Sequence, residues 1–459
     1  MDTLSALQLF NNYSLLHSQY LHTMPIVASH VQRPTPRRVL ATKPKQHSSA
    51  KTSPAAKPIV SPSEATPLVA VIGVGFVGTG LVDSFSTKYA TMGFDISEDR
   101  LNFLRGEFRT RSNVSFTSNE SDLANATHFL ISVPTLLRSD KTIDLSYLQS
   151  ALRRVEQWAR PGCTVVIESS VSVGLTRQLL GPIAETKGLF AGMSPERIDP
   201  GRVEPPMHSI PKVVSGLDDV VPGSLNAVVR LYERVFDNIV PVSKPEVAEM
   251  CKLYENCQRM MCIAYANEMA DACRGLGIDA FEVSRAAATK PFGYMPYTPS
   301  LGVGGHCIPV NPYYLLSNCE FPLLEACAEK MNKRPADMAK RIVGELMGVN
   351  KLQRRDSGID INKKVLVVGM GFKAGQDHLV NSPGLQLAKE LKRLELDVHF
   401  ADSLVRQSAV PDIPRLADGD WNTKELETFD MIVISFRQWG MDFDVLDRVS
   451  GVPVQMWCQ

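Results

Sequence analysis

The stretch Val69-Ala-Val-Ile-Gly73-Val-Gly75-Phe-Val-Gly78 constrains the fold more than any other part of the chain. A short β-branched apolar run enters G-x-G-x-x-G, which is a strand delivered into a tight turn and a helix. The glycines have separate tasks. Gly73 permits the turn, Gly75 lets a pyrophosphate approach the backbone, and Gly78 lets the following helix, expected from Thr79, pack close on the strand. The helix N-terminus then offers unpaired N–H groups and a partial positive charge to phosphates. A turn at a sheet edge also collects glycines, so the partner acid matters. Asp95 ends the next strand, Met92-Gly-Phe-Asp95, 22 residues after Gly73, where a carboxylate grips ribose hydroxyls. That carboxylate repels a 2′-phosphate, which favours NAD over NADP.

From this strand onward the chain alternates. Apolar runs at Leu68–Ile72, Phe129–Val133, Thr164–Ile167 and Lys212–Val214 are separated by helical stretches, the pattern of βαβ units and a mainly parallel sheet. After Pro245 the texture changes to a long helix from Glu246 to about Gly275, and a second helix-rich stretch covers Leu323–Met347. A polar linker, Gly348–Asn362, follows. Strands then return at Val365–Val368, Val398–Ala401 and Met431–Ser435. The expected fold class is α/β, with two Rossmann-like doubly wound domains joined by a central helical domain. The expected divisions are a tail over 1–66, a NAD-binding domain over 67–243, a central domain over 244–350 and a second α/β domain over 351–459. The turn Val365-Leu-Val-Val-Gly369-Met-Gly371-Phe-Lys373 resembles the first but lacks its third glycine.

The tail is Pro-, Ser-, Ala- and Lys-rich from about residue 31, a composition that cannot bury enough apolar surface to order itself. It carries a net charge of +5, and the remainder of the chain −5. A basic, acid-poor N-terminus also fits a mitochondrial transit peptide, but residues 1–30 contain no Arg or Lys, and disordered extension is the preferred reading. Lys+Arg and Asp+Glu balance at 49 each, so nothing global points to nucleic acid or an anionic membrane, and no apolar run is long enough to span a bilayer. Nine scattered cysteines without a signal peptide read as reduced thiols in a cytoplasmic protein. Those at 251, 257, 262 and 273 lack zinc-ligand spacing, and no metal is assigned.

Two segments carry further chemistry. In the long helix, apolar Val247, Met250, Leu253, Tyr254, Met260 and Met261 are expected on the buried faces, while Lys252, Asn256 and Arg259 form one stripe. Periodicity alone makes that stripe a solvated face. In Leu301-Gly-Val-Gly-Gly305-His306-Cys307-Ile-Pro309-Val-Asn311-Pro312, three glycines clear space for a ligand and Cys307 follows at once. A cysteine so placed is either a nucleophile or a structural residue in a turn. His306, adjacent to it, reads as loop-fixing.

These segments resemble the UDP-glucose/GDP-mannose dehydrogenase family, most nearly its UDP-N-acetylglucosamine/UDP-N-acetylmannosamine 6-dehydrogenase branch. The likeness runs through Gly73–Gly78, Gly93–Asp95, Ser132-Val-Pro-Thr135, Glu168-Ser-Ser170, Ser194-Pro-Glu196-Arg197, Lys252-Leu-Tyr-Glu-Asn256, Lys290-Pro-Phe-Gly293, Gly302–Tyr314, Gly371-Phe-Lys373 and Ser382-Pro383. It implies a four-electron oxidation of a UDP-sugar at C6, using NAD twice. Cys307 would carry a thiohemiacetal and then a thioester, Lys252 and Asn256 would stabilise the oxyanion, and Glu196 would activate water, with Asn311 in the same site. It implies NAD contacts at Gly73, Gly75, Phe76, Val77, Gly78, Asp95, Arg100, Thr135 and Ser170. Substrate contacts fall at Arg197, Arg259, Gly304, Gly305 and Lys373, and the long helix would form the core of a homodimer or higher homo-oligomer.

Three departures stand out. Asn311 replaces the family's usual Asp, Ser170 its Thr, and Val380 an Arg that commonly reaches the neighbouring subunit's substrate. Asn cannot act as a base. Two other functions therefore stay open: a catalytically attenuated nucleotide-sugar-binding paralogue, and a two-electron hydroxyacid-type dehydrogenase.

Overall fold

A computed structural model of the chain describes residues 66–202, 204–347 and 363–458. The tail and the 348–362 linker lie outside them, apart from residue 66. An eight-stranded sheet is built from β1 (Leu68–Ile72), β2 (Ala90–Phe94), β3 (Val114–Thr117), β4 (His128–Ile131), β7 (Thr164–Ile167), β8 (Phe190–Met193), β9 (Lys212–Gly216) and β10 (Ile239–Pro241). Its order is β10-β9-β8-β7-β4-β1-β2-β3, parallel except where β8 meets β9. Between β4 and β7 lies a two-stranded hairpin, β5 (Leu136–Leu137) with β6 (Ile143–Asp144). Val69–Ile72 and Val165–Ile167 are fully buried, as strands covered by helices on both faces must be. Those helices are α1 (Phe76–Phe85), α2 (Glu98–Glu107), α3 (Ser146–Trp158), α4 (Leu175–Lys187) and α5 (Ser224–Tyr232).

The central part holds α6 (Pro245–Gly275), α7 (Ala280–Ala288), α8 (Asn311–Leu316) and α9 (Pro322–Met347). At 31 residues α6 is about 46 Å long. Leu253, Cys257, Met260 and Ala264 of α6 share a core with Tyr314, Leu315, Leu324 and Met331. Farther along α9, Met338, Ala339, Ile342 and Val343 join the core of a second sheet. That sheet is all-parallel, in the order β12 (Asp397–Ala401), β11 (Lys364–Val368), β13 (Met431–Ile434), β14 (Val454–Met456). Helix α10 (Pro383–Arg393) covers one face of it. The doubly wound halves and helical centre expected from the sequence are present.

Two local expectations need correction. The first helix begins at Phe76, not Thr79, so Gly78 lies inside its first turn. On α6 the polar stripe is buried rather than solvated: Lys252 and Asn256 are closed off, while Val247, Met250 and Tyr254 are exposed. Periodicity identifies two faces but not which one meets the protein. Here Lys252 and Asn256 share the buried side with Leu253 and Met260, and only part of the apolar set, Val247, Met250 and Tyr254, faces outward.

Candidate active site

The glycine turn has the shape that a pyrophosphate requires. Gly73 takes φ +86, and a Cβ on Gly78 would lie 1.9 Å from the Gly73 carbonyl oxygen. A Cβ on Gly75 would meet nothing within 4 Å. No side chain caps α1, whose first N–H groups are therefore available to an anion. Asp95 accepts from the Val74 N–H (3.0 Å) and the Ser97 N–H (3.0 Å), keeping one acceptor position on each oxygen. Arg100 braces the turn, its guanidinium donating to the Val74 carbonyl and the Thr79 hydroxyl at 2.9 Å each. Phe76 is exposed and Val77 half-buried beside the turn. Across the sheet's carboxyl edge, Thr135 donates to the Ser170 carbonyl at 2.8 Å. These residues fit a dinucleotide.

Helix α6 is fixed to this domain at its base. The buried Glu249 carboxylate accepts from the Gly174 N–H (2.6 Å) and the Thr176 N–H (2.8 Å), satisfying the start of α4, while Arg177 pairs with Glu246 at 2.5 Å. One turn on, Lys252 and Asn256 face inward. Asn256 Nδ2 donates to Asn311 Oδ1 at 2.5 Å, and the Asn311 N–H donates to the Cys307 carbonyl at 2.9 Å. Helix face and cysteine loop are thus one bonded unit. Glu196 enters from the end of β8, near enough to Lys252 for the ammonium to act on its carboxyl.

Both Glu196 oxygens are engaged. Oε1 accepts from the Arg197 and Ile198 N–H groups (2.7 and 3.0 Å), and Oε2 from Lys212 Nζ (2.7 Å). The same ammonium donates to Glu168 Oε2 at 2.7 Å, and the Tyr232 hydroxyl donates to Glu168 Oε1. Burial works to raise the Glu196 carboxyl, but Lys212, the Arg197 N–H and Lys252 outweigh it and hold it below its ordinary value. For Glu168 burial dominates over Lys212 and raises it to about 7.

Residues 68–236 match the NAD binding domain of the UDP-glucose/GDP-mannose dehydrogenase family, and residues 246–333 its central domain. The chain belongs to that family. Its cofactor is NAD. A UDP-N-acetyl-D-glucosamine 6-dehydrogenase from Pseudomonas aeruginosa is 33% identical over 364 residues, covering 73% of this chain and 83% of the relative. Protein CapL from Staphylococcus aureus is 33% identical, covering 80% and 89%. The solved structure of a UDP-ManNAc dehydrogenase from Pyrococcus horikoshii superposes with a TM-score of 0.74 at 25% identity, over 85% of this chain and 99% of that one.

The positions expected to contact substrate are distributed unevenly. Lys373 Nζ pairs with Asp199 at 2.8 Å, joining the second sheet's glycine turn to the loop after Glu196. Arg197 is tied to Glu255 (2.6 Å) and the Pro211 carbonyl (2.9 Å), and Arg259 lies against the Tyr297 hydroxyl. Gly304 and Gly305 have a reason the sequence did not show. A Cβ on Gly304 would come within 2.9 Å of Pro383 Cδ, and one on Gly305 within 3.0 Å of the Phe372 ring. The Gly305 N–H donates to the Val380 carbonyl (2.9 Å), and Asn381 Nδ2 donates to the Gly305 carbonyl (3.0 Å). These glycines let the second α/β half close on the cysteine loop. His306 is exposed and lines a cavity of about 330 Å³ with Thr135, Pro309 and Tyr313.

The site contains three residues that sequence reading did not single out. Glu168 and Lys212 are charged residues at the ends of apolar strands, a visible oddity whose pairing only the fold reveals. Tyr314 is fully buried, with its hydroxyl beside Thr135 and Cys307, though the Thr135 contact falls short of ordinary hydrogen-bond geometry. Burial pushes that hydroxyl up to about 12. Among the described residues, no cluster of three or more His, Cys, Asp or Glu could hold a metal, and no helix is long and apolar enough to cross a membrane.

Proposed function

We propose that the chain oxidises a UDP-sugar at C6 to the uronic acid in a four-electron reaction, with Cys307 as covalent nucleophile. The observation carrying this reading is the link from α6 to the cysteine loop, Asn256 to Asn311 and Asn311 N–H to the Cys307 carbonyl, with Lys252 one turn before Asn256 and close to Glu196. NAD, held by Gly73–Gly78 and Asp95, supplies the hydride acceptor. The Cys307 sulfur adds to the aldehyde carbon, giving a thiohemiacetal whose oxidation leaves a thioester. Lys252 and the Asn256 amide present preset positive charge and a donor to the oxyanion formed at each addition, without reorganising. Water then cleaves the thioester, with Glu196 drawing off its proton. The likeness to UDP-N-acetylhexosamine dehydrogenases favours a UDP-N-acetylhexosamine over UDP-glucose.

Asn311 favours the second reading, an attenuated nucleotide-sugar-binding protein, because an amide cannot take a proton. Against it, Cys307, Lys252, Asn256 and Glu196 are all retained in the chain. The exposed Met250, Tyr254, Tyr265 and Met269 recur along α6 at helical spacing, and we read that stripe as the seam of a homodimer in the cytoplasm. Purified protein mixed with a panel of UDP-sugars should form two NADH per sugar, and Cys307→Ala should form no acid. One NADH per sugar, or acid from the variant, would sink the proposal.

A further inference from the structure

A base must have somewhere to put its proton, and Glu196 is poorly suited to keep one. Oε1 is filled by two backbone N–H groups, and Oε2 has one position left beside Lys212. Its carboxyl is held below its ordinary value, chiefly because Lys212 and the Arg197 N–H overcome the effect of burial. Asn311 can accept no proton at all.

Behind Glu196, away from the cleft, lies a fully enclosed continuation. Lys212 Nζ stands 2.7 Å from Glu196 Oε2 and 2.7 Å from Glu168 Oε2, with side-chain exposures of 3%, 8% and 0% for Lys212, Glu196 and Glu168. The Tyr232 hydroxyl donates to the far oxygen of Glu168, and the rings of Tyr232 and Phe236 face the ammonium at 6.0 and 5.5 Å. The charged and titratable groups acting most strongly on Glu168 are Lys212 on β9, Glu196 from the end of β8 and Tyr232 on α5, with Lys252 on α6 reaching the cluster through Glu196. With Lys252 included, the group holds two carboxylates and two ammonium ions, formally neutral. Desolvating two carboxylates around one amine makes the second negative charge costly, so the cluster readily takes one proton. Burial raises Glu168, the innermost member, to about 7.

We propose that Glu168 stores the proton that water gives up during thioester hydrolysis, receiving it from Glu196 through Lys212. The water oxygen bonds to the thioester carbon and one water proton goes to Glu196 Oε2. Lys212 donates a proton to Glu168 and takes the one on Glu196, so the ammonium is unchanged and Glu168 becomes a carboxylic acid. The carbon–sulfur bond breaks with its electron pair on Cys307 Sγ, releasing the sugar acid. When the acid leaves, the proton returns along the same path to water. Glu168 never touches substrate: it is a positioning residue for a proton, acting through Glu196. The inference rests on the thioester reading above.

Glu168→Gln tests it. The amide can keep hydrogen bonds to Lys212 and Tyr232 and removes a buried negative charge, so folding is preserved. The first turnover should still yield two NADH per chain as a burst. Steady-state turnover should fall at least about tenfold, acyl-Cys307 trappable by hydroxylamine should accumulate, and the acid limb of kcat near pH 7 should flatten. Tyr232→Phe, nearly isosteric, removes a donor to the ionised form and should move that limb to higher pH. Unchanged steady-state rate and pH limb in both variants would overturn the store. If Cys307→Ala still forms the sugar acid, the thioester reading itself fails. Infrared difference spectra between pH 6 and pH 8 then decide separately: a carboxylic acid band that titrates in wild type and vanishes in Glu168→Gln supports the store, and its absence in wild type overturns it.

Discussion

Replacing Gly304 by Ala separates two explanations of the glycine-rich cysteine loop. The new Cβ would lie 2.9 Å from Pro383 Cδ, 3.0 Å from Phe372 Cβ and 3.1 Å from the Asn381 carbonyl oxygen. Carbon contacts settle at about 3.5 Å or more, so loop and partner must separate by roughly 0.6 Å. Pro383 opens α10 and Asn381 is fixed at φ 50, so neither is the free end of a flexible chain. Overpacking of this kind costs about 1–3 kcal/mol, which for a chain of this size corresponds to a fall of about 1–4 °C in Tm. Catalysis should suffer more. A 1 Å displacement near the chemistry can cost about 100-fold, so a shift of this size should lower kcat about tenfold. The KM for the UDP-sugar should stay within about threefold and NAD affinity should not change. Scanning calorimetry and steady-state kinetics on both proteins check this. An unaltered Tm and kcat with a KM raised by about 100-fold would show that the glycines clear space for the ligand instead, and the packing argument would fall.

Gly78→Ala puts a methyl 1.9 Å from the Gly73 oxygen, lifting the start of α1 and costing about two charge-assisted bonds to pyrophosphate. NAD affinity by calorimetry should drop about 100-fold or more with UDP-sugar binding intact, and a Kd within threefold of wild type would count against the assignment. Asn311→Asp keeps an acceptor for Asn256 and adds a proton acceptor in the cleft, so kcat should rise no more than about tenfold if Glu196 already serves. A gain of thousands from an inert parent, read as uronic acid formed, would favour the attenuated paralogue. His128 is pushed down to about 4 by burial and by Arg230, so its neutral ring stabilises the fold above pH 6.5, and that contribution disappears as pH falls toward 4. After discount for partial exposure this is about 2 kcal/mol. Urea unfolding at pH 7 and pH 5 should show a larger loss for wild type than for His128→Asn, and equal losses would refute it.

The frame of the molecule was legible because it depends on local signals. β-branched runs at Leu68–Ile72 and Thr164–Ile167 are strands to the residue, and the glycine turn before Asp95 folds as its spacing requires. The grouping of Lys252 with Asn256 on one helix face was also legible, from their i, i+4 spacing. What escaped depends on distant chain segments meeting. Glu168 and Lys212 are 44 residues apart, and their charges make sense only once β7 and β9 lie beside β8. The burial of the Lys252 stripe escaped for a related reason: a helical wheel does not say which side another element will cover. In the sequence Gly304 reads as clearing space for a ligand, because Phe372 and Pro383, its neighbours in the fold, are far along the chain.

The second glycine turn folds much like the first, with Gly369 at φ +87 and Asp402 following its own strand as Asp95 does. Yet Asp402 is buried and accepts from the Met370, Gly371, Leu404 and Val405 N–H groups and from Gln438 Nε2. Its lone pairs are spent on the protein, and none remains for a ribose. Asp95 keeps two. On the proposed four-electron reading, two oxidations would share one berth, the second waiting until the first has cleared it. During that changeover a half-oxidised sugar free in the cleft could drift away, and a sugar moored to Cys307 could not. On that reading, the buried strut at Asp402 in the second α/β half is the reason the cysteine loop would serve as an anchor.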